Sequence, residues 1–198
     1  MKCSENRNTG GFTLVEVLVA IGIGMLVLAA VATTFMSQAR FYSSQELVNE
    51  MQQNARGALD LITRELKMAG YNPAGAIFSG VTYYDTSQLQ IKADLNAVSG
   101  IEDNTNENIT YAYDDSNLQI TRTLGGGTAQ VLADNITALT FTCYKADGAT
   151  TTTTSSEIRQ VKLDITARTA KPDPNYTSNG GYRIYIVTAT ITPLNLAL

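Results

Sequence analysis

The 198-residue chain holds 14 basic and 18 acidic residues, a net charge of −4, and neither histidine nor tryptophan. That balance gives no basic surface for nucleic acid, and the lack of histidine removes serine–histidine and cysteine–histidine catalysis together with the commonest metal ligand. The length fits one domain, or one domain with a membrane element; a charged fraction of 16% with abundant Thr, Asn, Ser and Gly in the second half suits an extracytoplasmic β-rich domain.

Residues 1–11 are polar and basic, with Lys2 and Arg7, and end in Gly10-Gly11. From Phe12 to Met36 follow 25 residues with a single charge, Glu16. At about 1.5 Å per residue the run is long enough to cross a hydrocarbon core of about 30 Å. A secretory signal core is shorter, about 7–15 residues, and ends at a cleavage site. Ala29, Ala30 and Ala32 imitate such a site, but the run continues without a turn signal into a helical pattern. Lys2 and Arg7 place the N-terminus in the cytoplasm and the rest of the chain outside. A carboxylate within an apolar helix costs roughly 2.5 kcal/mol or more, so Glu16 is expected to have a partner or a task. Ala20 and Gly24, at i and i+4, offer small surfaces for close helix packing, as do Ala29, Ala30 and Ala32, although such residues are common in membrane helices generally.

The segment GGFTLVEVLVAIGIGMLVLAA resembles the N-terminus of type IV prepilins and type II secretion pseudopilins. The shared pattern is a short basic leader ending in Gly, an aromatic residue, Thr-Leu-Val/Ile-Glu and an apolar helix. The resemblance implies that a prepilin peptidase cuts between Gly11 and Phe12 and methylates the new amine of Phe12. Glu16 then becomes the fifth residue of the mature chain, where the family carries its carboxylate. In a packed bundle Glu16 would pair with the Phe12 amine of a neighbouring subunit, neutralising two buried charges and setting axial register. Its own Phe12 amine, one turn away, competes, and a seat in the headgroup zone is the plainer alternative. Many major pilins carry a proline in this helix; this run has none, and Gly22 and Gly24 are the weak points of its first half, each costing about 1 kcal/mol of helix propensity.

Beyond Gln38 the helical pattern persists with a polar composition. Leu47, Met51, Ala55, Ala58, Ile62, Leu66 and Ala69 recur at steps of three and four, one apolar stripe on an amphipathic helix. Glu46, Glu50, Arg56, Asp60 and Arg64 fall on the solvated face. Gly70 and Pro73 end the pattern, so one helix is expected over Phe12–Ala69, with Ser43-Ser44 as the place for a bend. Leu61, Arg64, Glu65, Leu66, Ala69, Gly70 and Tyr71, and the tail YRIYIVTATITPLNL, are similar to the minor-pilin group that includes PilW-like proteins and J-type pseudopilins.

After the helix the period changes to two. Strands are expected at Val81–Tyr84, Leu89–Ala93, Ile109–Tyr113, Leu118–Thr123, Ile136–Tyr144, Ile158–Arg168 and Tyr182–Thr192, with a hairpin turn at Asp114–Asn117. Polar loops fill 99–108, 124–130, 145–157 and 170–181, and Thr150–Thr154 reads as a mobile tip. Gly125-Gly126-Gly127-Thr128 lacks the lysine of a phosphate-binding loop. Glu102, Asp103, Glu107, Asp114 and Asp115 lack the spacing of a calcium loop and read as solvated charge. The triplets at Asn108, Asn135 and Asn175 match a glycosylation pattern that is frequent by chance. Cys143 shares a strand face with Leu139 and Phe141 and reads as a small buried hydrophobe; Cys3 precedes the apolar run, so no disulfide within the chain is expected.

These readings give an α+β protein: a long N-terminal helix, half membrane and half amphipathic, packed on a mostly antiparallel β-sheet head. The expected division is a leader over 1–11, a membrane or filament-core helix over 12–36, its amphipathic continuation over 37–69, a linker over 70–80 and the head over 81–198. No enzyme activity, cofactor, metal or nucleic acid is expected. The resemblance implies a PilW-like minor pilin of a type IV pilus. A J-type pseudopilin of type II secretion is the alternative, and an adhesive or DNA-uptake subunit a further one. Implied partners are the prepilin peptidase, the major pilin, other minor pilins or pseudopilins, the inner membrane and its assembly platform.

Overall fold

In the computed structural model the residues described are 11–97 and 106–196. One helix, α1 (Leu14–Met68), precedes eight strands: β1 (Val81–Asp85), β2 (Gln88–Lys92), β3 (Asn108–Asp114), β4 (Gln119–Leu124), β5 (Gln130–Ala133), β6 (Ile136–Tyr144), β7 (Gln160–Arg168) and β8 (Ile184–Ile191). The chain divides into two units, the residues up to Gln45 and those from Glu46 on.

In the first unit the stretch of α1 from Leu14 to Met36 carries apolar side chains on every side, with Glu16 its single charge, and its large side chains are exposed. Helical structure continues through Ser43 and Ser44. The hydroxyls of Thr33 and Thr34 both donate to the Ala30 carbonyl at 2.9 Å. These polar groups are thus satisfied within the helix, as an apolar setting requires.

In the second unit the amphipathic stripe is the core face of α1. Met51, Ala55, Ala58, Ile62 and Leu66 are buried, followed by Ala69 just past the helix end. Gly70 takes φ +79° and donates its N–H to the Lys92 carbonyl at 2.9 Å, a left-handed stop that costs glycine nothing. The strands are all antiparallel and pair in chain order, as a five-stranded sheet β1-β2-β3-β4-β5 and a three-stranded sheet β6-β7-β8. One hydrophobic core takes side chains from α1 and both sheets, with Tyr111, Phe141, Ile62 and Leu163 among the fully buried. Strict alternation in β7 puts Val161, Leu163, Ile165 and Ala167 inside.

Most expected strands form within two residues of their expected ends. Three points differ. The head has two sheets instead of one. Strand β5 begins in the expected loop 124–130 and runs on where no strand is expected: only Ala133 of its four residues is buried, so it lacks an alternating apolar signal. Leu118, expected to open a strand, lies in the β3–β4 turn with φ +54°, and Asp114 Oδ1 accepts the Ser116 and Asn117 N–H groups there. The tip at Thr150–Thr154 is tied down by a bridge between Tyr144 and Thr151 and by the Thr152 hydroxyl, which donates to Glu157 at 2.8 Å. Cys143 is a buried free thiol, its pKa pushed up to about 12 by burial. Cys3 lies outside the described residues.

Candidate functional site

The site is the start of α1. Thr13 is its N-cap, since the Thr13 carbonyl accepts the first helical bond from Val17 N–H at 3.2 Å. Glu16 lies three residues on and closes a reciprocal capping box. The Thr13 N–H donates to Glu16 Oε2 at 2.9 Å, the Thr13 hydroxyl donates to the same oxygen at 2.9 Å, and the Glu16 N–H donates to Thr13 Oγ1 at 3.3 Å. The sequence signal for this box, Thr-x-x-Glu before an apolar run, lies inside the motif that draws attention to Glu16 for another reason.

The box fixes where the helix begins, so Gly11, Phe12 and Thr13 stand outside it. A Cβ at Gly11 would meet nothing within 4 Å, and Phe12 is 88% exposed. Among the described residues nothing packs on the Gly11–Phe12 bond. Gly10 and the rest of the leader lie outside the described residues. In the uncut chain Phe12 N is an amide; a positive amine beside Glu16 arises only by cleavage. Further along, added Cβ atoms at Gly22 and Gly24 would also meet nothing, so nothing in the described chain requires glycine at either position. Ala20 is exposed on the same helix.

A polar cluster in the head has no counterpart among the expected sites. Glu65 on α1 receives Arg122 of β4, with Nη2 to Oε1 at 2.8 Å and Nε to Oε2 at 3.3 Å, and accepts a hydrogen bond from the buried Tyr111 hydroxyl of β3. Arg122 Nη2 also donates to Asn106 Oδ1 at 2.9 Å. Burial and the Glu65 carboxylate push the Tyr111 phenol well above its usual range. Glu65 is visible as part of the Leu-x-x-Arg-Glu-Leu ending, but its partners are 46 and 57 residues away. The cluster joins helix to sheet and has no open reacting group. Replacing Glu65 with Ala leaves Arg122 and Tyr111 without their acceptor and should cost about 2 kcal/mol, while Glu65→Gln should cost less; urea unfolding followed by circular dichroism checks both.

Glu107, expected as solvated charge, is buried instead. Its Oε1 accepts the N–H groups of Leu95 at 2.9 Å and Asn96 at 3.1 Å, a loop-closing arrangement. Glu102 and Asp103 lie outside the described residues. Among the described residues no group of three or more acidic or cysteine side chains is placed to hold a metal ion.

The sequence matches the family described as prepilin peptidase-dependent protein B over residues 45–186, and the prokaryotic N-terminal methylation motif over residues 6–32. Among curated proteins it is similar to a pilin-like protein, PilA3, of Thermus thermophilus, at 40% identity over 60 residues. That similarity covers 30% of this chain and 26% of the relative, so the chain spans about a quarter of that relative's length. Among solved structures it is similar to a type IV-like pilin, also from Thermus thermophilus, at 13% identity and a TM-score of 0.49, over 74% of this chain and 98% of the other.

Proposed function

The chain belongs to the prepilin peptidase-dependent protein B family, and on that footing we propose that it is a PilW-like minor pilin, a structural subunit that takes part in the assembly or initiation of a type IV pilus. It is a type IV pilin-like subunit rather than an enzyme. The observation that carries the pilin reading is the conjunction of a methylation motif with a helix whose apolar residues from Leu14 to Met36 are exposed on every side, while the PilW-like part rests on the resemblance of Leu61–Tyr71 and the tail. Such a surface needs lipid around it, or copies of similar helices.

In this reading residues 1–11 are the leader, 12–36 the membrane and filament-core helix, 37–69 its amphipathic continuation, 70–80 a linker and 81–198 the head. The peptidase cuts Gly11–Phe12 and methylates Phe12. Before assembly the subunit is held in the inner membrane with its N-terminus cytoplasmic and its head periplasmic. Assembly through the membrane platform then exchanges lipid for the helices of the major pilin and other minor pilins. Ala20 and Gly24 supply close approach between helices, and Glu16 meets the Phe12 amine of a neighbour. The capping box gives Glu16 a local hydrogen-bond partner until that neighbour arrives.

Replacing Gly11 with Val is expected to leave mostly precursor, 11 residues longer than the mature chain, because a branched side chain would crowd the exposed bond. Intact-mass spectrometry checks it, and normal processing would refute the cleavage assignment. Deleting the gene tests the pilus. Loss of surface pili with normal exoprotein secretion is expected. Intact pili with failed secretion would overturn the reading in favour of a J-type pseudopilin.

A further inference from the structure

The three aromatic residues of α1, Phe35, Phe41 and Tyr42, fall within eight positions. They are 68%, 71% and 75% exposed, and all lie in the unit that ends at Gln45. Arg40 stands among them. At 3.6 residues per turn Arg40, Phe41 and Tyr42 lie roughly 140°, 240° and 340° round the axis from Phe35. The three rings thus share an arc of about 120°, and Arg40 stands on the opposite side, so aromatic and cationic groups meet at one level of the helix, the pairing found at a membrane–water boundary.

The spacing along the axis also fits. Glu16 and Arg40 bound a stretch free of charged residues, Val17–Ala39. At about 1.5 Å per residue the two charges stand roughly 36 Å apart. That exceeds a hydrocarbon core of about 30 Å and falls within the roughly 40–45 Å that includes the headgroups. Both charges can therefore occupy opposite headgroup zones, and the one long polar side chain between them, Gln38, lies two residues from Arg40 at the same boundary.

We propose that Phe35, Arg40, Phe41 and Tyr42 form an interfacial collar that binds the bilayer headgroup zone on the side of the head and sets the depth of the stored helix. The occupant is lipid: the rings sit at the boundary and Arg40 meets anionic headgroups. With the collar seated, Glu16 is held in the opposite headgroup zone. This rests on the reading of α1 as a membrane helix before assembly.

The absence of tryptophan from the chain allows a direct test. The full-length protein carrying a single Leu28→Trp, Phe41→Trp or Tyr42→Trp change is reconstituted into phosphatidylethanolamine–phosphatidylglycerol vesicles doped with lipids brominated at shallow or deep acyl positions. Leu28→Trp, midway between the charges, should be quenched mainly by deep bromines. Phe41→Trp and Tyr42→Trp should be quenched mainly by shallow ones, with emission blue-shifted from that of exposed tryptophan in water. If Leu28→Trp reports the deep position but the other two emit as in water and are not quenched, the helix spans and the collar is refuted. The collar is equally refuted if Phe41→Ala/Tyr42→Ala abolishes filament incorporation while Leu28→Trp depth in that background is unchanged, since the rings then serve a protein neighbour. If Leu28→Trp is not quenched either, the membrane reading itself fails and the collar falls with it.

Discussion

Replacing Gly80 with alanine is expected to lower the melting midpoint of the head by roughly 6–12 °C. The added Cβ would stand 2.4 Å from Gly70 N, 2.5 Å from Gly70 Cα and 2.7 Å from Leu196 Cδ2. A side-chain terminus can swing away, but the Gly70 backbone cannot. Gly70 N–H is bonded to the Lys92 carbonyl at 2.9 Å, and Lys92 N–H is bonded to the Gly80 carbonyl at 2.8 Å. Both glycines are therefore fastened to one strand residue, and parting them breaks one of these bonds. Overpacking of this kind costs about 1–3 kcal/mol, and the strained hydrogen bond puts the change at the upper end, about 3 kcal/mol. For a domain of this size that corresponds to the stated shift. Gly126→Ala is the control: its Cβ meets open space, and its midpoint should stay within about 2 °C of wild type. Thermal unfolding monitored by circular dichroism decides the matter, and equal midpoints for the two variants would refute the packing argument.

Replacing Glu16 with leucine should permit membrane insertion and cut incorporation into filaments by roughly 10²–10⁴-fold. In a filament core the Phe12 amine of the neighbour would be left buried and unpaired, a loss of about 3–5 kcal/mol. The capping box supplies a second and sharper variant. Glutamine at the third helical position still accepts the Thr13 N–H but carries no charge. Glu16→Gln should therefore start its helix normally and still fail to incorporate. Quantitative immunoblotting of sheared pili against membrane-held protein measures both. Wild-type incorporation of Glu16→Gln would mean that the carboxylate serves only to begin the helix, and the pairing with a neighbour's amine would be wrong.

The parts of the molecule legible in the sequence are those governed by short-range periodicity. The stripe Met51–Ala69 is buried as its spacing requires, and the stop at Gly70 follows from a conformation that only glycine adopts freely. The alternation of Val161, Leu163 and Ile165 marks the inward face of β7. The missing pieces are long-range or carry a weak apolar signal. Nothing local in QVLA distinguishes a peripheral strand from a loop, because most of its residues touch water. The division into two sheets depends on which strands pair, and pairing has no local signature. At the N-terminus the motif directs attention to Glu16 as a charge needing a remote partner. The nearer partner, Thr13, stands in plain view three residues upstream, and the elementary physics of helix ends accounts for it.

The pairing of strands in chain order has a consequence for how the head folds. Within each sheet every strand joins one next to it in sequence, so each hairpin can close as soon as its second arm emerges, with little loop-closure cost. Residues 194–196 are different. Leu194 N–H reaches the Lys67 carbonyl at 3.4 Å, and Leu196 lies against Gly70 and Gly80, joining this segment to the end of the helix. That closure links residues 67 and 194, so its loop-closure cost is larger than that of any hairpin and it follows them. Residues 194–196 thus act as a latch on the helix end: without them the hairpins keep their local pairing, but Lys67, Gly70 and Gly80 lose the segment that lies against them.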